Sequence, residues 1–158
     1  MTSNPSPVVE ADLEARVEAL FRSQGLAVLS TQGEGQPYSS LVACAATPGL
    51  RELLFATTRE TRKFHNLAAE PRVSLLIDNR ANQEADFQEA MAATAVGRAA
   101  EVEGDDLASL RGIYLAKHPY LEDFLVAPAC ALIRVQVDAY YVVQRFQEVQ
   151  VLHPGTRP

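Results

Sequence analysis

The chain is poor in the residues that announce a metal site or a disulfide framework. It has two cysteines, Cys44 and Cys130, far apart and in no CxxC arrangement. Both sit in apolar, strand-like surroundings and read as buried, inert thiols. Its three histidines, His65, His118 and His153, are scattered without metal-ligand spacing, which argues against a zinc site. No Ser-His-Asp or Cys-His nucleophile set is readable. Apolar runs never approach the ~20 residues of a membrane span. Met1 to Pro7 has no basic region followed by an apolar core, so no secretory signal is visible. A cytoplasmic protein without membrane contact is expected. Basic charge is scarce too. A net charge of -6 and a pI near 5.0 argue against a general nucleic-acid binder.

What is present is an ordinary bulk with one local exception. With 158 residues, 47% hydrophobic and 22% charged, the sequence describes one globular domain with length enough for a real core. The expected layout is a flexible N-terminal tail over 1–7, a single domain over 8–152 and a C-terminal tail over 153–158. The exception is Thr57-Thr58-Arg59-Glu60-Thr61-Arg62-Lys63-Phe64. It lies between the apolar run Leu53–Ala56 and a short helical pattern that Pro71 must end. Three cations and three hydroxyls crowd the first turn of that helix, where the dipole favours acids instead. The turn also offers unpaired backbone N–H groups. Cations, hydroxyls and free amides converging on one point make a phosphate site.

Around this turn the periodicity is mostly of period two. Val9, Leu13, Val17, Leu20 and Phe21 recur at helical spacing before Gly25. Leu26–Thr31, Pro37–Ala46, Glu52–Thr57 and Val73–Ile77 read as strands separated by turns. In the basic-turn helix, Phe64, Leu67 and Ala68 are expected to face inward. Phe87–Val102 is read as a long strand with a bend at Gly97. Asp105 and Asp106 are expected to cap a helix carrying Leu107, Leu110, Ile113 and Tyr114. Cys130–Asp138 and then Ala139–Phe146 read as two β runs. The fold class is therefore mainly β with short helices, an antiparallel barrel with helices at its ends.

Phe55-Ala56-Thr57, Thr61-Arg62-Lys63, Asn66-Leu67 and Glu70-Pro71-Arg72-Val73-Ser74-Leu75-Leu76-Ile77 together resemble the pyridoxamine 5'-phosphate oxidase-like family. The preceding Gly35-Gln36-Pro37-Tyr38-Ser39-Ser40-Leu41-Val42 is similar to that family's second strand. The resemblance implies an FMN-binding split β-barrel with Greek-key connections. It implies that Thr61, Arg62 and Lys63 hold the FMN phosphate, with Thr57 and Thr58 beside them. It implies that Ser39, Ser40, Leu41 and Val42 line the ring with backbone groups. It also implies a homodimer with FMN at the subunit interface.

The chain departs from the vitamin B6 oxidases where a second phosphate would bind. The basic residue expected at the end of the second strand is Ala46. The expected Arg-x-His near the C-terminus is absent, since Arg145 is followed by Phe146 and Gln147. The expectation is a flavoprotein oxidoreductase with a substrate other than pyridoxamine phosphate, its pocket bounded by Tyr38, Tyr114 or Phe146. A non-catalytic flavin binder or redox sensor, and a deazaflavin cofactor on the same turn, stay open. So does a haem-utilisation protein, which the runs His65–Leu76 and Tyr114–Pro119 also resemble, with His153 as the one haem-ligand candidate.

Overall fold

In the computed structural model, which describes residues 7–145 and 147–155, the chain opens on helix α1 (Pro7–Ser23). Leu13, Val17, Leu20 and Phe21 are buried along its inner stripe, while Val9, at the same spacing, stays exposed. Strands β1 (Leu26–Gly33) and β2 (Gln36–Ala46) form a hairpin. Its two-residue loop puts Glu34 and Gly35 at φ 52° and 80°. Positive φ at both central residues is the turn whose twist matches paired strands. A turn through Pro48–Leu50 leads to β3 (Glu52–Thr58), followed by α2 (Arg62–Ala69) and β4 (Arg72–Asp78). A short α3 (Asp86–Glu89) precedes β5 (Ala92–Glu101). Helices α4 (Asp106–Lys117) and α5 (Glu122–Val126) lead into β6 (Cys130–Gln144) and β7 (Glu148–Leu152).

The strands run in the order β3-β2-β1-β4-β5-β6-β7, and β3 also pairs with β6. Six strands thus close into an antiparallel barrel, and β7 extends the sheet beyond β6. Three hairpin-linked strands with the fourth returning beside the first is the Greek-key order. The barrel interior holds Leu29, Phe55, Leu75, Ile133 and Tyr140. Each fully buried side chain of this kind stabilises the fold by about 1.5–3 kcal/mol. A second cluster packs α4 and α5 on the outside of β2, β3 and β6, through Leu54, Leu110, Tyr114 and Leu132.

Four expectations need correction. The segment read as one strand over Phe87–Val102 begins with α3, and the strand proper starts at Ala92. Asp86 organises the preceding loop by accepting from the N–H groups of Ala81 and Gln83, which local side-chain bonding favours over a ladder. The two β runs after Cys130 are one strand of 15 residues, because the sheet needs a strand long enough to pair with both β3 and β5. The strand that does return is β7, which lies further on than expected. In α2, Ala68 is exposed and Asn66 is buried in its place, since Asn66 donates to Thr31 Oγ1 at 3.1 Å. Finally, Asp105 makes no capping bond, and the Asp106 carboxylate accepts from Arg134 at 2.9 Å instead.

Both thiols are buried, and neither forms a disulfide. Burial pushes the Cys44 thiol up to about 12, and it also raises Cys130. The reactive species is the thiolate. A disulfide reagent at pH 8 should therefore label neither cysteine in the native protein, and both once guanidinium unfolds it. Rapid labelling of the native protein would contradict this packing.

Candidate functional site

Barrel closure leaves one seam incomplete. β2 pairs with β3 through Cys44, Ala45 and Ala46 alone. Beyond that point β3 runs on to Thr58 with its other edge on β6, and β2 runs back to Gln36 with its other edge on β1. Among the described residues, the edge of β2 that faces β3 is thus without a strand partner over residues 36–43. Tyr114 sits at the fork, its hydroxyl donating to Ala43 O at 3.3 Å. Its ring is buried in the second core cluster, so it closes the top of the split and does not line an open pocket.

The basic turn lies where β3 ends. Thr61 is the N-cap of α2, and its Oγ1 accepts from Phe64 N at 3.3 Å. It also donates to Thr58 O at 3.0 Å and lies 2.8 Å from Thr57 Oγ1. Thr57 is buried. Each hydroxyl carries one proton, and both protons are used inside the turn. Thr57 and Thr61 therefore shape the turn, and the donors left for an anion are the Thr58 hydroxyl, the side chains of Arg62 and Lys63, and the N–H groups of these two residues. As the first two residues of the helix, they have no intrahelical partner for those amides.

The three cations of the turn do not act together. Arg59 points away, bonding the Glu101 carboxylate and donating to Pro128 O at 2.8 Å. This pairing holds the Arg59 guanidinium above its usual range. Among the described residues, neither Arg62 nor Lys63 has an acidic partner. The Arg62 guanidinium carbon lies 4.8 Å from the centre of the Tyr38 ring, a cation–π contact that ties the turn to β2. Register supports this link. Tyr38 opposes Thr31, and Thr31 holds Asn66 of α2. The buried Asn66 was the part of the site that sequence patterning missed, because a polar residue at an inward helical position carries no periodic signal.

Of the four expected β2 residues, Val42 belongs to the barrel core and Leu41 is 67% exposed on the outer face. Ser39 is exposed, with its Oγ 3.3 Å from Ser30 Oγ. Ser40 Oγ is buried and meets no partner among the described residues. Phe146 lies outside the described residues. On the far side of Arg62 a cleft of about 560 Å³ runs between the β1–β2 hairpin and α2, lined by Gly33, Arg62, His65 and Asn66. A second, more apolar groove between α1 and α4 shares no residue with it.

Residues 13–144 match the model of the family described as pyridoxamine 5'-phosphate oxidase. The chain belongs to the pyridoxamine 5'-phosphate oxidase family. No curated protein is similar to it in sequence. Solved structures share the fold of this pyridoxamine 5'-phosphate oxidase-family chain at low identity. A haem-binding protein from Mycobacterium smegmatis superposes with a TM-score of 0.77 at 22% identity, over 96% of this chain and 60% of that one. The chain thus spans about 60% of the length of that neighbour. HutZ, a haem storage protein from Vibrio cholerae, gives 0.65 at 17% identity, over 90% of this chain and 95% of its own. An FAD-binding protein from Mesorhizobium loti gives 0.64 at 15%, over 81% and 91%. Flavin binders and haem binders therefore share the barrel of this family member. No helix is long and apolar enough to cross a membrane among the described residues.

Proposed function

We propose that the protein binds FMN along the split between β2 and β3 and acts as an oxidoreductase on a substrate other than pyridoxamine phosphate. The observation that carries this reading is the pair Arg62 and Lys63. Among the described residues they have no acidic partner, and the first turn of their helix holds no acid, in a chain of net charge -6. Arg62 offers a planar fork and Lys63 a mobile point charge to a phosphate dianion. The unpaired edge of β2 offers backbone groups to a flat ring, and the buried Ser40 hydroxyl lacks a partner that a ligand would supply. Bound FMN supplies the hydride or electron chemistry. The protein's part is to hold the phosphate, orient the ring and exclude water. The test is titration of the purified protein with FMN, followed by quenching of flavin fluorescence. Saturable binding supports the reading, and its absence removes it. The same turn suits a deazaflavin phosphate, which the absorbance spectrum distinguishes.

A homodimer completes the proposal. On the outer face of the sheet, register aligns Leu41, Val28, Leu76, Thr94, Tyr141 and Val151 across six strands. Leu41, Tyr141 and Val151 are exposed large side chains on that row. Such a face is expected to be covered, and a two-fold partner gives two equivalent flavin sites. Light scattering should report twice the chain mass of 17.2 kDa. A monomer at micromolar concentration would remove this part.

Pyridoxamine phosphate should not be oxidised. Ala46, which closes the β2–β3 pairing opposite Leu53, offers no cation to a second phosphate. Losing such contacts removes both binding and orientation over the ring. A flat or apolar acceptor suits the remaining surface beside Tyr38 better. With FMN-loaded protein and oxygen, pyridoxal phosphate absorbance should stay flat. Turnover near ~1 s⁻¹, within the usual enzyme range, would overturn the substrate assignment.

A second reading is haem binding. His153 Nδ1 lies 3.1 Å from Asp138 O, so that nitrogen carries the proton. Metal-ligating histidines commonly donate their other N–H to a carbonyl in this way. A Soret band that appears on haem titration and is lost in His153→Ala would favour it.

A further inference from the structure

We infer that a second, smaller site, built for a monocarboxylate with a short apolar tail, lies between α4, α5 and the start of β6. A partly open cavity of about 220 Å³ lies there. That is roughly seven times a water's share of liquid volume, the scale of a small organic acid. Leu107, Leu125, Val126 and Leu132 contribute apolar wall, and Arg59 and Arg111 both line the cavity.

The two arginines differ in kind. Arg59 is spoken for by Glu101 and by Pro128 O, and its backbone N–H donates to Ala129 O at 3.0 Å. It is part of the frame. Among the described residues Arg111 has no ion pair, and its Nε is buried without an acceptor. A buried donor of a charged group left unbonded is costly, and native structures seldom carry one without a reason. The one acid that lines the cavity, Glu101, is neutralised by Arg59. Cys130 adds no negative charge, because burial keeps its thiol protonated. The cavity therefore holds one positive charge without a carboxylate partner among the described residues, with leucine and valine side chains along part of its wall.

That combination selects the ligand class. A single positive charge matches a monoanion better than a phosphate dianion. The guanidinium fork matches the two oxygens of a carboxylate, with Nε–H as one tine. Where Leu107, Leu125, Val126 and Leu132 form the wall, a short hydrocarbon tail fits better than a second charged group. Arg59 is the one residue shared with the basic turn, and it faces this cavity through its Glu101 pair and away from Arg62 and Lys63, so the site stands whether or not a flavin binds there.

The test uses the full chain and butyrate as probe, read in proton–nitrogen NMR spectra by the backbone amide cross-peaks of Leu107, Leu125 and Ala131, which line the cavity and are present in every variant. Butyrate should shift those peaks saturably, with a Kd of about 1 mM or below. Arg111→Gln should weaken binding roughly tenfold or more, through loss of the charge-assisted bonds. Arg111→Lys keeps the charge and loses the fork, and should fall between the two. It also stands in if the Gln variant does not fold. Three results would overturn the proposal: a shift that stays linear through ~10 mM butyrate, an equal response to butanol, or tighter binding of inorganic phosphate than of butyrate.

Discussion

Arg62→Ala should weaken FMN binding by about 1.5–3 kcal/mol, roughly ten- to a hundredfold, the worth of a charge-assisted hydrogen bond. The substitution is clean because Arg62 is exposed and does not hold the fold. Its guanidinium rests on Tyr38, while the helix start is fixed by Thr61 and by the inward Asn66 and Leu67. Lys63 remains, so binding should be reduced and not abolished. Removing any positive charge from this acidic chain repels an anion slightly more. Arg80→Ala controls for that, since Arg80 pairs with Asp78 at 3.2 Å, away from the turn. It should change FMN affinity by less than about twofold, as screened surface charges do. Fluorescence titration at one fixed ionic strength separates the two variants. Equal affinity of Arg62→Ala and the parent, with an unchanged melting temperature, would sink the phosphate assignment.

The basic turn is legible in the sequence because its chemistry runs against local preference. Cations at a helix start disagree with the dipole, and such a conflict shows in the sequence without knowledge of neighbours. Likewise the Glu34-Gly35 turn and the break at Pro71 are local events that residue type decides. What stayed hidden depends on partners distant in sequence. Arg59 reads as a third phosphate ligand until Glu101, 42 residues on, claims it. Nor does residue type show that Thr57 and Thr61, expected beside the phosphate, lie 2.8 Å apart and hydrogen-bond within the turn to Thr58 O. The split barrel itself came from the family resemblance, but the place of the split could not be read from residue patterning, for it arises where β2 stops pairing and Tyr114 enters the gap. The length of β6 was obscured because an unbroken strand and a tight hairpin share the same alternation. No turn residues separate Asp138 from Ala139, and the continuous reading is the one that closes the barrel.

Closure of that barrel should fail most sharply at one glycine. The ladder between β5 and β6 shifts register at Val96/Gly97. A Cβ added at Gly97 would lie 2.1 Å from Gln136 O and 3.1 Å from Val135 Cγ1. The closer atom is backbone and cannot rotate aside. Nor can β6 retreat, because its other edge is fixed to β3, with Val135 opposite Leu53 and Gln136 opposite Glu52. Gly97→Ala must therefore part β5 from β6 or β6 from β3. Overpacking of this kind costs about 3 kcal/mol or more. For a chain of this size that lowers the melting temperature by roughly 6–12 °C. Gly112→Ala supplies the contrast. Gly112 lies within α4 with nothing within 4 Å of its added Cβ, so the change should stabilise the protein by about 0.5–1 kcal/mol. Melting curves of both variants, with and without FMN, decide the matter. A Gly97→Ala protein that melts within 2 °C of the parent would mean that β5 and β6 do not approach as described. The closed barrel, and the unpaired β2 edge that depends on its closure elsewhere, would then have to be redrawn.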